Sequence, residues 1–235
     1  MCGRFVSSTP PAQLARYFDA EVADEVALEP SWNVAPTNDV YAVLVDGGVR
    51  RLEELHWGLV PFWAKDPKIG NRMINARSEG IATKNAYRQA FRKRRCIIPA
   101  DGFYEWKRTP GQKAKQPMYI HRPDGEPVAF AGLWEVWRDP SRPDESLHSC
   151  TIITGPPNER IAEVHDRMPV ILPSEVWDTW LDPDGHDTEL LGQLLVPAPA
   201  SLLTMHPVST EVNQVRNKGP QLIEPLDPED PGAAP

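Results

Sequence analysis

The sequence predicts an α+β fold: a single β-rich domain with strands packed around one core and a few short helices. Three observations predict it. Short apolar or alternating runs broken by Gly, Pro and Asp fill residues 30–155, among them VYAVLV, CIIPADGFYEW, VAFAGLWEVW and SLHSCTIIT. Helical spacing is confined to short pieces near the two ends. A chain of 235 residues with 40% hydrophobic and 25% charged side chains is long enough for one substantial core.

The elements follow in order. Residues 9–19 (TPPAQLARYFD) read as a short helix: Thr9 caps it, proline sits in its first turn, and Leu14, Tyr17 and Phe18 form its apolar side. VYAVLV, DGG and VRRLEELHW spell a hairpin. CIIPADGFYEW and QPMYIH flank the basic, turn-rich KRTPGQKAK. RPDGEP leads into VAFAGLWEVW, and DPSRPDE leads into SLHSCTIIT. Helices return at PPNERIAEV, SEVWDTWL and HDTELLGQLL, and a last strand falls near SLLTMHPV. No repeat or internal linker divides the chain. One domain is therefore drawn over residues 2–222, followed by an acidic, Pro-rich tail over 223–235 that is expected to be disordered.

Composition narrows the function classes. No 18-residue apolar run and no basic-then-apolar leader are present, so a membrane span and a secretory signal are not expected. Cys2, Cys96 and Cys150 make an odd count without a CxxC pair, which reads as free thiols in a reducing cytoplasm. No ligand pair has the spacing of a structural zinc site, and neither metal nor cofactor is expected. The net charge of −8 hides an asymmetry. Residues 65–115 hold 14 Lys/Arg against 4 Asp/Glu, while the remainder holds 11 against 29. Because screening confines each patch to about 8–10 Å, a local positive face attracts phosphates even on an acidic protein.

Four stretches carry more polar and aromatic content than packing requires: MCGRF; WGLVPFW with NARSE a dozen residues on; CIIPADGFYEW; and VHDRMP. Taken singly they are ordinary. Trp57, Trp63 and Trp106 read as core, Glu105 as the polar face of a strand, and His165 as a loop histidine. MCGRF raises a sharper question. Cys2 stands directly behind Met1, and a small residue there permits removal of the methionine. The mature chain would then open with an exposed 1,2-aminothiol, a group that captures aldehydes.

In combination and in this order, MCG, PSWNVAPT, WGLVP, NARSE, RRCIIPADGFYEW, TIIT, IAEVHDRMP and HPVSTEVN resemble the SRAP family (SOS response-associated peptidase), the abasic-site crosslinking proteins. The likeness covers nearly the whole chain outside the acidic tail. It implies recognition of abasic sites in single-stranded DNA and a covalent bond from the N-terminal cysteine to the ring-opened sugar. Single-stranded DNA and replication-fork proteins are then the expected partners. With the free thiols, a cytoplasmic protein is expected, nucleoid-associated when on DNA, and a monomer, since holding one damaged strand gives no evident need for a dimer. The residue chemistry agrees. A free α-amine, with a pKa of about 7.7–8, is partly neutral near pH 7 and attacks the C1′ aldehyde. The Cys2 thiol then adds to the same carbon and closes a thiazolidine, an effectively intramolecular step.

By the same resemblance Glu105 is the acid–base carboxylate, His165 moves protons at the sugar oxygen, and Asn75 contacts the sugar beside Cys2. Arg4, Arg77 and Arg167 are phosphate contacts, joined by Asn33 in the NVAPT segment. Pro36 and Trp63 are candidates for insertion into the gap in the base stack. Some family members carry a second bulky aromatic after the tryptophan, where this chain has Ala64. Three other activities stay open on these residues: a cysteine autopeptidase acting through Cys2, a non-covalent reader of damaged DNA, and an imine-forming lyase.

Overall fold

The computed structural model describes residues 2–23, 26–111, 114–139 and 141–226. Thirteen strands are present among them: β1 (Phe5–Ser7), β2 (Glu21–Val22), β3 (Ser31–Val34), β4 (Asp39–Asp46), β5 (Val49–Trp57), β6 (Asn75–Arg77), β7 (Arg95–Ala100), β8 (Gly102–Lys107), β9 (Gln116–His121), β10 (Val128–Asp139), β11 (Arg142–Gly155), β12 (Met168–Pro169) and β13 (Thr204–Pro207). The α-helices are short: α1 (Pro11–Tyr17), α2 (Arg88–Lys93), α3 (Glu159–Ala162), α4 (Trp177–Leu181) and α5 (Thr188–Gln193).

The expected hairpin forms from β4 and β5, paired from Asp39↔His56 to Asp46↔Val49. Its two-residue turn needs positive φ at both corners, and Gly47 and Gly48 supply +58° and +81°. From β5 the sheet runs through β4, β7 and β10 to β11. It then closes, because β11 also pairs in parallel with β5 at Ser149↔His56 and Cys150↔Trp57. Closure into a barrel removes the exposed edges.

Period-2 alternation sends residues to two different cores. Val40, Ala42 and Leu44 of β4, Cys96 and Ile98 of β7, and Val128 and Phe130 of β10 join one buried cluster. Their neighbours Tyr41, Val43, Ile97, Ala129 and Ala131 join the second, with Leu14, Phe18, Phe91 and Trp180 from the helices. Both faces of these strands are buried, which is why they read as nearly continuous apolar runs.

A second sheet, in the order β13-β9-β8-β1-β3, packs against the first cluster through Phe5, Phe103 and Ile120. The CIIPADGFYEW stretch is divided between the two sheets. The chain leaves the barrel at the end of β7 and enters the second sheet as β8, bending at Asp101. The Asp101 carboxylate explains the bend: it accepts from the Ser8 and Thr9 backbone N–H groups and from both hydroxyls at 2.5–3.1 Å. Thr9 is thereby taken from its expected capping role, and α1 starts at Pro11 with Pro10 at the N-cap position and no side-chain cap. Helix α2 went unforeseen because its basic face disguised a buried Ala90 and Phe91.

No helix among the described residues is long and apolar enough to cross a membrane. Just past the expected boundary at 222, the Ile223 carbonyl meets His206 Nε2 at 2.8 Å and Leu226 N–H donates to Pro207 O. The rest of the expected tail, 227–235, lies outside the described residues.

Candidate functional site

β11 assembles the site. At its C-terminal end β6 lies along one edge, in parallel register Ile152↔Asn75 to Thr154↔Arg77. β12 lies along the other edge at Thr154↔Pro169 and Gly155↔Met168. NARSE and HDRMP, about ninety residues apart, are thus neighbours across one strand. Arg167 and Glu79 tie them directly, bidentate at 3.0 and 2.8 Å, and Arg167 also donates to Thr154 O at 2.6 Å. Held by that guanidinium, the Glu79 carboxyl is pulled down to about 2.

Cys2 arrives from the second sheet. β1 is an inner strand between β8 and β3, so the residues before it are drawn between the two sheets. Cys2 is accordingly 0% exposed in this chain, which still carries Met1; the expectation of an exposed aminothiol concerns the chain after its removal. Its carbonyl accepts from Asn75 Nδ2 at 2.8 Å. Asn75 Oδ1 is buried and has no hydrogen-bond partner among the described residues. A buried acceptor in that condition is costly unless a ligand hydroxyl fills it.

The antiparallel pairing Phe5↔Phe103, with Tyr104 N–H donating to Arg4 O, runs the chain before β1 alongside Glu105. Glu105 is 3% exposed, and burial raises its carboxyl pKa, with His165 offsetting part of the rise. Burial, and then the Glu105 charge, push the Cys2 thiol pKa up. His165 stands after α3, whose N-cap Asn158 accepts from Ile161 N–H and whose carbonyl at Ile161 receives the His165 N–H. Its Nε2 lies 4.0 Å from Glu105 Oε2. Its Nδ1 has two neighbours, the Arg167 backbone N–H at 3.0 Å and Asp166 Oδ1 at 2.8 Å. Nδ1 accepts from the amide in the neutral ring, which leaves the proton on Nε2 facing Glu105; the imidazolium instead donates to Asp166.

The expected DNA contacts separate into two groups. Arg77 is exposed on β6, two residues beyond Asn75 and therefore on the same side of the strand. Trp63 is 49% exposed, and Pro36 is half-buried in a loop pinned by Thr37 N–H to Trp57 O at 2.9 Å. Arg4 and Asn33 face inward. Arg4 Nη1 donates to Asn33 Oδ1 at 2.7 Å and to Val212 O at 2.8 Å, with its guanidinium 5.8 Å from the Trp106 ring centre. Asn33 is 0% exposed, and its amide nitrogen reaches the carbonyls of Val212, Gln214 and Asn217 at 2.9–3.2 Å. Its side chain fastens the C-terminal segment onto β3 and has no surface to offer a strand of DNA. The signal for that role lay in NVAPT and HPVSTEVN together, not in either alone.

No group of three His, Cys, Asp or Glu residues among those described could hold a metal ion. What the fold does gather is a cysteine beside a carboxamide, a buried carboxyl and an imidazole, at the end of barrel strand β11 and next to the exposed arginine of β6. That arrangement defines a protein with nucleophilic and acid–base groups gathered at one site. The chain belongs to the SRAP, SOS response associated peptidase, family, whose profile matches residues 1–215.

Among curated relatives, the abasic site processing protein YoqW of Bacillus subtilis is 44% identical over 225 residues, covering 95% of this chain and 99% of the relative. The abasic site processing protein HMCES of Gallus gallus is 33% identical, covering 97% and 78%. The abasic site processing protein YedK of Escherichia coli is 30% identical, covering 96% and 100%. A solved structure from Bacteroides thetaiotaomicron shares the fold with a TM-score of 0.84 at 23% identity, covering 96% of this chain and 100% of that one. One from Bordetella bronchiseptica gives 0.73 at 27%, covering 88% and 100%.

Proposed function

We propose that this protein processes abasic sites in single-stranded DNA by closing a thiazolidine between Cys2 and the lesion. The carrying observation is the convergence of Cys2, Asn75, Glu105 and His165 from four distant stretches of sequence. Removal of Met1 frees the Cys2 α-amine. The amine adds to the C1′ aldehyde and loses one water to give an imine. The thiol then adds its sulfur to the imine carbon while its proton passes to nitrogen, so the ring closes with no oxidant or further leaving group.

The environment suits that order. A thiol kept protonated by burial leaves the first attack to the amine. A carboxyl with a raised pKa is suited to donate the proton that expels water, and His165, one proton relay away, is suited to serve the sugar oxygen. The open acceptor on Asn75 suits a sugar hydroxyl next to the Cys2 carbonyl. The autopeptidase reading fits less well, because it asks for a thiolate that burial and Glu105 both disfavour. Cleavage of Met1 is retained as a maturation step.

The test is a denaturing gel after incubation with single-stranded DNA holding one abasic site. A slow, heat-stable band is expected, lost in Cys2→Ala and lost when the N-terminus is blocked. Equal binding by Cys2→Ala with no covalent band in wild type would instead establish a non-covalent reader.

A further inference from the structure

A second surface stands outside this chemistry. Ala64 N–H donates to Pro61 O at 2.8 Å, closing a β-turn whose two corners are Phe62 and Trp63. Corners usually carry Gly, Asn, Asp or Pro. Here both are large rings, 53% and 49% exposed. The turn is rigidly mounted. Pro61 and Ala64 are buried, and the Trp137 indole N–H donates to Ala64 O at 2.7 Å. Behind it the backbones of Gly58 and Gly70 touch so closely that a Cβ on Gly70 would lie 2.5 Å from Gly58 O. A fold that needed only to close this turn would not hold two aromatic rings out in water.

Opposite the turn lies α2. Two adjoining grooves of about 220 and 350 Å³ run between them, sharing Phe62 and Gln89 and lined further by Trp63, Asn85, Arg88, Lys93 and Arg94. Arg94 is neutralised by the buried Glu135 at 2.6 Å, whereas Arg88 and Lys93 are exposed. The neighbouring Lys84 and Arg92 are exposed as well. Tyr87, at the start of α2, connects the groove to the site through its hydroxyl, 3.4 Å from Asn75 O. Stacking rings facing a line of cations is the pattern that holds single-stranded nucleic acid without reading its sequence.

We propose that this groove carries the single-stranded DNA running on from the lesion, with a base stacked on Phe62 and phosphates on Arg88 and Lys93. The inference rests on the function proposed above and extends it to one flank of the lesion strand. It assigns Phe62 a role separate from insertion at the lesion by Trp63.

The experiment compares wild type, Phe62→Ala and the double variant Arg88→Glu/Lys93→Glu on three abasic oligonucleotides. One has about ten nucleotides on each side, and the others lack one flank or the other. Initial rates of covalent product are read at sub-saturating protein, with the melting temperature as a check on folding. On the doubly flanked substrate both variants are expected to be about tenfold slower than wild type. Removing one particular flank should slow wild type by the same factor and leave the variants unchanged. The inference is overturned if the variants respond to truncation as wild type does, or if they lose equally on every substrate. It is overturned equally if both match wild type, as a groove for a protein partner would require. Anisotropy with lesion-free single-stranded DNA tests the groove even if no covalent product forms at all, and so separates its failure from that of the proposed chemistry.

Discussion

His165 Nε2 faces Glu105 Oε2 across 4.0 Å, joining a histidine from the loop after α3 to a carboxylate in the middle of β8. The separation suits a relay through an intervening oxygen, from water or from the sugar, better than a tight ion pair. Glu105→Gln and His165→Ala should each slow covalent adduct formation by about 100-fold or more while leaving the melting temperature near or above that of wild type. Gel time courses on purified mature protein measure this. Unfolding of both variants would assign the pair a structural role.

The raised Glu105 pKa carries a stability cost whose sign is fixed. A carboxyl raised in the folded state contributes stability that is complete below its unfolded pKa of about 4.3 and is lost as pH rises through the folded value. Glu105→Gln should therefore melt higher than wild type at pH 7, by about 2 °C or more, with the gap closing toward pH 4. The rate that depends on protonated Glu105 should fall over the same rise in pH and lose that limb in the glutamine variant. Thermal melts and rate profiles across pH check the two halves.

Glu79 behaves in the opposite sense. Its carboxyl is pulled down to about 2 by Arg167, so its contribution is present above about pH 4.3 and is lost as pH falls toward 2. Because Glu79 is 56% exposed, the pair is worth no more than about 1 kcal/mol. Arg167→Ala should cost little stability at pH 7. If Arg167 also meets a phosphate, the variant should lower the salt dependence of DNA binding by about one unit of slope. Binding isotherms at several salt concentrations decide it.

Asn33 offers a contrast between scaffold and contact. Removing its amide takes the Asn33 donor from the Asn217 carbonyl, leaves those of Val212 and Gln214 with only Arg4 Nη1 and the Asn217 N–H among the described residues, and frees Arg4 from one partner. Asn33→Ala should destabilise the fold by about 2–3 kcal/mol, read by urea unfolding. A normal unfolding midpoint with weakened DNA binding would instead make it a direct contact.

Asn75 separates two uses of one side chain. Asn75→Asp replaces the donor to Cys2 O with a charged acceptor, whereas Asn75→Ala only removes it. Adduct formation should fall about tenfold or more in the alanine variant and further in the aspartate variant. Equal rates in the two would mean that the contact with Cys2 does not position the nucleophile.

Much of the candidate site was legible only because its parts occur together. MCGRF, NARSE, DGFYEW and VHDRMP are ordinary singly and point to their chemistry in combination and order, while apolar or alternating runs located β4, β5, β10 and β11. Helix α2 escaped notice because six residues give too little periodicity to stand out from a basic run. Arg4 and Asn33 were expected to face DNA, but a sequence does not say which way a polar side chain turns when its acceptors lie some 180 residues further along.

The amino acids alone thus determined the candidate reactive groups, the strand-forming runs and the positive charge between residues 65 and 115. Folding in three dimensions decided that β11 would close a barrel onto β5, hold Asn75 on one edge and Arg167 beside the other, and leave Cys2 buried between two sheets. The reason is physical. Periodicity specifies that a residue is buried, but when both faces of a strand are covered, only long-range pairing fixes which partner it meets.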